Sequence, residues 1–242
     1  MTTSAAAVLQ GSPFHTTRWT RVSMAKADSE DGRRALADLC DAYYEPVVAY
    51  LRMVLRDADA AREMSHTFFA EMLGGGTIHT AERERGRFRS YLLGSVKHFM
   101  ANQRDAARRL KRGGGVVALT LDDPEAYSVP DVKASSPDAE FDRQWAVTVL
   151  ERGMEALRAE CCGEGRGEFF ESVRPLLTGD STYGDQGALA AGCGMKVEAF
   201  RVAVHRLKKR LRQSVKDEVA GTLEDPTSVQ DEMQTLFAAL GG

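Results

Sequence analysis

Apolar residues recur at intervals of three and four along most of this chain, which is the spacing that places them on one face of an α-helix. The pattern is densest at residues 32–56, continues at 57–73, and returns at 141–157, 169–177 and 196–211. It predicts an all-α protein that is built from a succession of amphipathic helices.

Proline, acidic and glycine residues mark where individual helices are expected to bend, begin and end. Pro46 lies inside the first long pattern and predicts a kink or a junction, because proline lacks the N–H group that a helix interior needs. Acidic residues from Asp57 onward suit the start of a second helix. Glycine triplets at 74–76 and 113–115 are expected to end helices, and neither is a phosphate-binding loop because no Gly-Lys-Ser/Thr follows.

Helical periodicity disappears between residues 116 and 142, where prolines, small residues and acids replace the apolar pattern. This composition predicts an acidic flexible linker between two small helical domains. The expected organisation is a disordered N-terminus at 1–13, a first domain at 14–115, the linker at 116–140, a second domain at 141–221, and a C-terminal helical extension at 222–242.

Positive charge is concentrated between residues 83 and 115. Ten basic residues minus two acids give this stretch a charge of +8, whereas the whole chain carries -3. Phe88, Tyr91, Leu92, Val96 and Phe99 recur at helical spacing, so the stretch is predicted to contain one long amphipathic helix. A basic helix interleaved with aromatic and amide side chains suits a phosphate backbone and exposed bases. A solvated charged face is the alternative that the helix alone leaves open.

A second informative stretch at residues 183–211 predicts a helix, a tight turn at 192–194 and another helix. Seven cations occur from Arg201 to Lys216, and no acid interrupts them. A short helix, a glycine turn and a second helix with a basic outer face form a helix-turn-helix arrangement, whose second helix enters the major groove of DNA. An ordinary helical hairpin is the alternative interpretation.

The composition of the chain indicates where the protein is expected to act and which kinds of chemistry it is not expected to perform. No apolar run is long enough to span a bilayer, and the N-terminus lacks the basic start of a signal peptide. We therefore expect a cytoplasmic protein with no membrane contact. The four cysteines form no CxxC pair, and the sequence contains no phosphate loop, paired-carboxylate cluster or Ser-His-Asp arrangement. These observations predict no metal, no cofactor and no enzymatic activity.

Two DNA-facing segments joined by an acidic linker are typical of a promoter-reading protein, and the residues themselves resemble a bacterial RNA polymerase sigma factor of the extracytoplasmic-function type. The resemblance covers nearly the whole chain after the first dozen residues. The motifs that carry it are FHTTRW from Phe14, LCDAYYEPVVAYLR from Leu39, GRFRSYLLGSVKHFMAN from Gly86, KRGGG from Lys111, DRQWAVTVLERGMEAL from Asp142 and MKVEAFRVAVHRLKKRLRQ from Met195.

The resemblance implies a protein that binds core RNA polymerase and directs promoter-specific transcription initiation. Its first domain would bind the beta-prime clamp helices and open the minus-ten element, its second would meet the beta flap and read the minus-thirty-five element, and its linker would lie in the RNA exit path. Where the family usually has Asp and Gln three residues apart, this chain has Glu63 and His66. The implied polymerase-binding residues are Asp59, Arg62, Glu63, His66 and Phe69.

The resemblance also assigns minus-ten recognition to the basic helix and the loop before it. Arginines there would hold the DNA backbone, while Tyr91, His98 and Asn102 would contact an unstacked base. Family members usually carry Trp, Asn and Asp at these three positions, so a base preference is not carried over. The implied minus-ten residues are Arg83, Arg85, Arg87, Arg89, Tyr91, Lys97, His98, Asn102 and Arg104.

Minus-thirty-five recognition is assigned to the second basic helix. Glu198 is expected to accept a hydrogen bond from cytosine and Arg201 to donate to guanine, while lysines further along meet phosphates. The implied residues are Lys196, Glu198, Arg201, His205, Arg206, Lys208, Lys209 and Arg212.

A conventional helix-turn-helix regulator, whose first domain senses a ligand or partner, is the competing interpretation. The +8 stretch argues against it, since a sensor domain has no need of such a segment. Whether an anti-sigma factor, a regulatory kinase or the C-terminal extension controls the protein is left open.

In the free state the acidic linker is expected to hold the two basic domains together and mask both. The apolar stripe of residues 229–240 is expected to need a partner surface.

Overall fold

The computed structural model describes residues 24–27, 29–74, 87–112, 136–178, 186–221, 223 and 226–241. Its regular structure consists of eight α-helices and one 3-10 turn, and no β-strand occurs among these residues. The all-α prediction is confirmed. No helix in the described part of the chain is both long enough and apolar enough to cross a membrane.

The helices follow the apolar patterns of the sequence closely. Their bounds are Glu30–Leu55 (α1), Ala58–Leu73 (α2), Phe88–Arg112 (α3), Pro137–Gly163 (α4), Gly167–Thr178 (α5), Gln186–Gly192 (α6), Val197–Gly221 (α7) and Val229–Gly241 (α8), and the 3-10 turn at Pro226–Ser228 directly precedes α8.

A two-residue connection joins α1 to α2 and makes the two helices neighbours. Arg56 adopts a left-handed conformation with φ of 55°, which ends α1. Asp57 then caps α2, and its carboxylate accepts hydrogen bonds from the N–H groups of Asp59 and Ala60 at 2.8 and 3.0 Å. The start of α2 at an acidic residue is as predicted. Pro46 lies inside α1 and forms no junction, because the helix continues through it.

The described residues form two compact units. One contains residues 24–148 together with 223–241, and the other contains residues 149–221. The division falls inside α4, and the C-terminal helix groups with the first unit. The second unit ends at 221, as does the predicted second domain, but it begins at 149 and not at 141. The predicted N-terminus at 1–13 and residues 116–135 of the predicted linker lie outside the described part of the chain.

The last residues of the predicted linker form the first turn of α4. Ser136 accepts a hydrogen bond from the N–H of Ala139 at 3.1 Å, and Pro137 is the first helical residue. Proline at this position is compatible with a helix because its missing N–H would have no intrahelical partner. Asp138 and Glu140 in the first turn add favourable negative charge. The helix therefore starts four residues earlier than the apolar pattern indicates.

Each unit has its own apolar core. In the first unit the rings of Tyr43 and Phe88 lie 5.3 Å apart, and those of Phe68 and Phe99 lie 5.5 Å apart. Both pairs join α3 to the α1–α2 pair. The largest fully buried side chains of this unit are Leu39, Tyr43, Leu51, Phe68, Met72, Phe88, Leu92, Phe141 and Trp145.

In the second unit α7 packs against α5 and α6, and α4 approaches it closely at one point. Gly153 on α4 permits this approach, because a Cβ at that position would lie 2.8 Å from a methyl group of Val215 and 3.2 Å from its backbone nitrogen. Phe170 of α5, together with Phe200 and Leu207 of α7, is completely or almost completely buried. This core fixes which face of α7 is left for solvent.

Candidate nucleic-acid interface

The outer face of α7 presents the basic residues that the sequence predicts. Phe200, Leu207 and Leu211 are buried, so the opposite side of the helix is exposed. All eight of the predicted residues on and just before this helix are exposed or half-buried, namely Lys196, Glu198, Arg201, His205, Arg206, Lys208, Lys209 and Arg212. The helical spacing of the apolar residues was sufficient to predict this face.

A short helix and a glycine turn position α7. At the end of α6 the N–H of Cys193 donates to the carbonyl of Leu189 at 3.1 Å, and Gly194 has a φ of 64°. That left-handed conformation favours glycine, which has no Cβ to clash. Arg201 Nε donates to Gln186 Oε1 at 2.9 Å. This bond ties the first turns of α7 to the start of α6 and orients the guanidinium group.

The cations of α7 are not equivalent. Arg210 donates to Glu164 and Glu160, each at 2.8 Å, and these hydrogen bonds, first the one to Glu164 and then the one to Glu160, raise its pKa above the ordinary arginine value. Arg210 is therefore turned toward α4 and away from the outer face. In the part of the chain that the structure describes, no carboxylate pairs with Arg206, Lys208, Lys209 or Arg212.

An apolar side chain stands among these cations. Val202 is 50% exposed, which is unusual for a valine, and it lies beside Arg201 at the start of α7. With Met195 and Arg206 it lines an open groove of about 660 Å³ next to the basic face. Sequence reasoning missed Val202 because it follows Arg201 directly and does not belong to the buried stripe. Its position on the outer helical face was the available signal.

The basic helix α3 buries the predicted stripe and exposes part of its polar side. Phe88, Leu92, Val96 and Phe99 are buried. Tyr91 is half-buried, with its ring 6.0 Å from that of Phe88. His98 and Asn102 of the predicted minus-ten set are exposed on the polar side of α3, where Asn102 Nδ2 lies 3.3 Å from His98 Nδ1. Arg104, which belongs to the same predicted set, is half-buried.

Arg89 departs most from its predicted surroundings. It is only 8% exposed, its Nε donates to Glu232 Oε1 at 2.5 Å, and it also pairs with Asp142. The guanidinium carbon lies 4.7 Å from the centre of the buried Trp145 ring. Burial lowers the pKa of Arg89, but the hydrogen bond and charge of Glu232, with help from Asp142, outweigh that effect and raise it. The guanidinium group thus faces carboxylates instead of solvent, because position 89 lies beside Phe88 on the inner side of α3.

Two more of the predicted DNA-contacting cations pair with acids in the same unit. Arg87 Nη1 lies 2.7 Å from Glu232 Oε2, and Lys97 Nζ lies 2.6 Å from Asp138 Oδ2. Asp138 belongs to the segment that is expected from the sequence to mask a basic domain. Arg83 and Arg85, and the rest of the loop before Arg87, lie outside the described residues.

The predicted polymerase-binding face of α2 is mostly polar and exposed. Asp59, Arg62, Glu63 and His66 are accessible to solvent, whereas Phe69 is buried in the core. Arg62 pairs with Asp59 at 2.8 Å on this face. Because its side chain is 6% exposed, Phe69 contributes packing here and presents little surface.

Tyr44 of α1 joins this face, and sequence reasoning missed it. Its hydroxyl lies 2.9 Å from His66 Nε2, and the two rings stack with centroids 5.6 Å apart. The pair therefore forms one hydrogen-bonding patch across α1 and α2. Tyr44 follows Tyr43 in a dense apolar pattern, so nothing local in the sequence indicated that its hydroxyl faces α2.

No cluster of three or more metal-ligating side chains occurs within the described ranges. Of the adjacent cysteines, Cys161 is buried and Cys162 is exposed. Burial raises the pKa of the Cys161 thiol. A buried, protonated thiol is a poor nucleophile, so this residue contributes packing in the second unit.

The described residues thus define an all-helical protein with one basic helical face on α7 and a second basic helix, α3, at whose start Arg87 and Arg89 pair with acids. No protein-family model, curated protein or solved structure matches the chain. The role of these surfaces must therefore be inferred from their own chemistry.

Proposed function

We propose that this chain is a sigma factor of the extracytoplasmic-function type, which binds core RNA polymerase and directs promoter-specific transcription initiation. The observation that carries the proposal is the exposed basic face of α7 directly after a short helix and a glycine turn. This order of elements is the one by which a helix-turn-helix domain inserts its second helix into the major groove.

The distribution of side chains along α7 supports a division of labour on the minus-thirty-five element. Glu198 and Arg201 stand near the helix N-terminus, which is the part of such a helix that reaches base edges. Val202 beside them suits contact with a thymine methyl group. Lys208, Lys209 and Arg212 stand further along with no acidic partner among the described residues, and they suit phosphates.

The polar side of α3 supports a role at the minus-ten element. His98 and Asn102 reach solvent, and both can donate to and accept from the edge of an unstacked base. Tyr91 lies about two turns before His98 and is half-buried, where its ring could stack on that base. In this proposal residues 14–115 form the minus-ten domain and residues 141–221 the minus-thirty-five helix-turn-helix domain.

The polar face of α2, extended by Tyr44, is the proposed contact with the beta-prime clamp helices of core polymerase. The accessible Asp59, Arg62, Glu63 and His66 supply charge and hydrogen-bonding capacity for such a contact. The second domain would meet the beta flap, and the acidic segment at 116–140 would lie in the RNA exit path. We further propose that the protein acts in the cytoplasm, where polymerase works, and is not itself an enzyme.

One observation favours the competing regulator. Arg87 and Arg89 are paired with acids, so α3 offers DNA less positive charge than its sequence indicates. A conventional helix-turn-helix regulator would bind DNA through α7 alone and would have no need of core polymerase.

Gel filtration with purified core polymerase separates the two functions. A sigma factor co-elutes with the core enzyme, whereas a conventional regulator elutes alone. Glu63→Lys reverses a charge on the proposed contact face of α2 and should abolish co-elution. The control Glu71→Lys makes the same change at an exposed residue of α2 outside the proposed set and should co-elute normally. A wild-type chain that never co-elutes with core polymerase would contradict the sigma assignment.

A further inference from the structure

The C-terminal helix α8 carries a fully buried carboxylate. Glu232 has no exposed surface, and both of its oxygens are engaged. Oε1 accepts from Arg89 Nε at 2.5 Å, and Oε2 lies 2.7 Å from Arg87 Nη1. These contacts connect the end of the chain to the start of the basic helix α3, over a sequence separation of 143 residues between Glu232 and Arg89.

The carboxylate of Glu232 lies on the buried apolar face of α8. Val229, Met233 and Leu236 are buried on the same face of α8 as Glu232, whereas Phe237 is exposed. A helix of 13 residues is marginal on its own, so α8 depends on this docking for its helical state. Its attachment therefore depends jointly on the apolar stripe and on the two arginines.

Buried ion pairs of this kind contribute little net stability. Removing two charges from water is costly, and well-packed apolar side chains often serve a fold equally well or better. Arg89 nevertheless forms ion pairs with two carboxylates, those of Glu232 and Asp142, and its guanidinium group lies beside the Trp145 ring. Paired anionic oxygens around a guanidinium group are also what a DNA phosphate provides. The arrangement is therefore more consistent with a contact in which phosphates can replace the carboxylates than with a contact selected for stability alone.

We propose that α8 is an intrachain latch that occupies Arg87 and Arg89 in the free protein and releases them when phosphates of a nucleic-acid strand take the place of Glu232. This inference rests on the proposed role of α3 in binding DNA. Docking of α8 and binding of DNA to the start of α3 are then mutually exclusive, and each weakens the other by the same factor. The latch keeps two arginines away from non-specific DNA until a strand competes for them.

Glu232→Gln in the full-length chain tests the latch, because it keeps the size and hydrogen-bonding shape of the side chain and removes its charge. The probe is a fluorescent single-stranded oligonucleotide of mixed sequence. We expect roughly tenfold tighter binding at low salt, and a log–log salt slope steeper by about 1.4, the value for two additional phosphate contacts on a single strand. The control Asp231→Asn removes one exposed charge from the same helix and should bind within about twofold of the wild type.

An affinity of Glu232→Gln that equals or falls below that of the wild type, in a variant with unchanged helical content, would overturn the latch. Hydrogen exchange on the wild-type chain provides a second measurement that does not depend on the folding of any variant. Amides of residues 229–241 should exchange faster when the oligonucleotide is bound. Unchanged or stronger protection of α8 in the bound state would also overturn the proposal.

The same experiments distinguish failure of the latch from failure of the proposed function. If the chain co-elutes with core polymerase but Glu232→Gln binds the oligonucleotide no better than the wild type, only the latch is wrong. If the chain neither co-elutes with polymerase nor binds the oligonucleotide, with or without Glu232, the sigma assignment fails and the latch fails with it.

Discussion

Glu218 is a carboxylate buried within the α4–α7 packing. Burial raises its pKa to about 7, an effect that Arg152 partly opposes and Asp217 reinforces. The folded chain therefore holds a proton on Glu218 at pH values where the unfolded chain, with a pKa near 4.5, has released it. Stability that depends on this proton is complete below the unfolded pKa and is lost as pH rises toward the folded one.

We expect the free energy of unfolding to fall as pH rises from about 4.5 to about 7 and to level off above that range. Glu218→Gln should remove this slope and stabilise the chain by roughly 1–3 kcal/mol near pH 8. Urea unfolding across the pH range measures both effects. Asp217→Asn, a change at the exposed neighbouring residue whose charge is the smallest cause of the shift, should retain most of the slope. A slope that survives in Glu218→Gln would show that another group causes it.

Arg201 is the side chain that should carry base preference in α7. Arg201→Ala should change the preference at one position of the upstream element by roughly 1–3 kcal/mol, since a bidentate contact to guanine is lost. Arg201→Lys is the matched control for charge: it should retain overall affinity and still lose the preference, because lysine cannot form the planar fork. Binding to a base-scanned set of promoters measures both, and an unchanged preference in Arg201→Ala would refute the assignment.

For individual residues, exposure was easier to predict from the sequence than partners were. Helical periodicity separates Phe200 and Leu207 from the exposed Arg201, because a 3.6-residue repeat determines which side chains share a face. It could not pair Arg89 with Glu232, since no local pattern relates residues that are 143 positions apart. For the same reason the hydrogen bond between Tyr44 and His66 became visible only once α1 and α2 were in place.

Among the helices, α7 is proposed to combine two functions along its length. Replacing Lys208 and Lys209 together with Gln should weaken DNA binding on all sequences alike and flatten the log–log salt slope by about 1.8, the value for two phosphate contacts on duplex DNA. Filter binding across a salt series measures the slope. Arg174→Gln, at an exposed cation of α5, should leave the slope unchanged. A loss confined to particular promoter sequences would count against a phosphate role for the two lysines.

The sequence predicted which segments form helices because the interactions that favour a helix are local. Most of the signals that mark helix ends are local too. The apolar repeat, the cap at Asp57 and the left-handed Gly194 all act within a few residues. The start of α4 was missed although its signal was present: Ser136 and Pro137, followed by acids, form a typical helix N-terminus. Acidic composition favoured a linker there and obscured this signal.

Across the chain as a whole, the grouping of elements was the least predictable feature. The stripe on residues 229–240 correctly indicated that α8 needs a partner, and Val229, Met233 and Leu236 are buried. Amphipathicity specifies which face of a helix is buried, but it does not specify the surface that covers it. The grouping of α8 with residues 24–148 follows from non-local packing, which a single sequence does not encode in any short pattern.

A sigma factor gives core RNA polymerase a promoter specificity that the core enzyme lacks by itself. Transcription in vitro from fragmented genomic DNA, with core polymerase alone and with the chain added, measures this property without any assumption about the promoter sequence. We expect discrete new transcripts whose start sites share two upstream elements, and we expect them only when the chain is present. Transcripts that are identical with and without the chain, from a core enzyme shown to be active with another sigma factor, would contradict the proposed function.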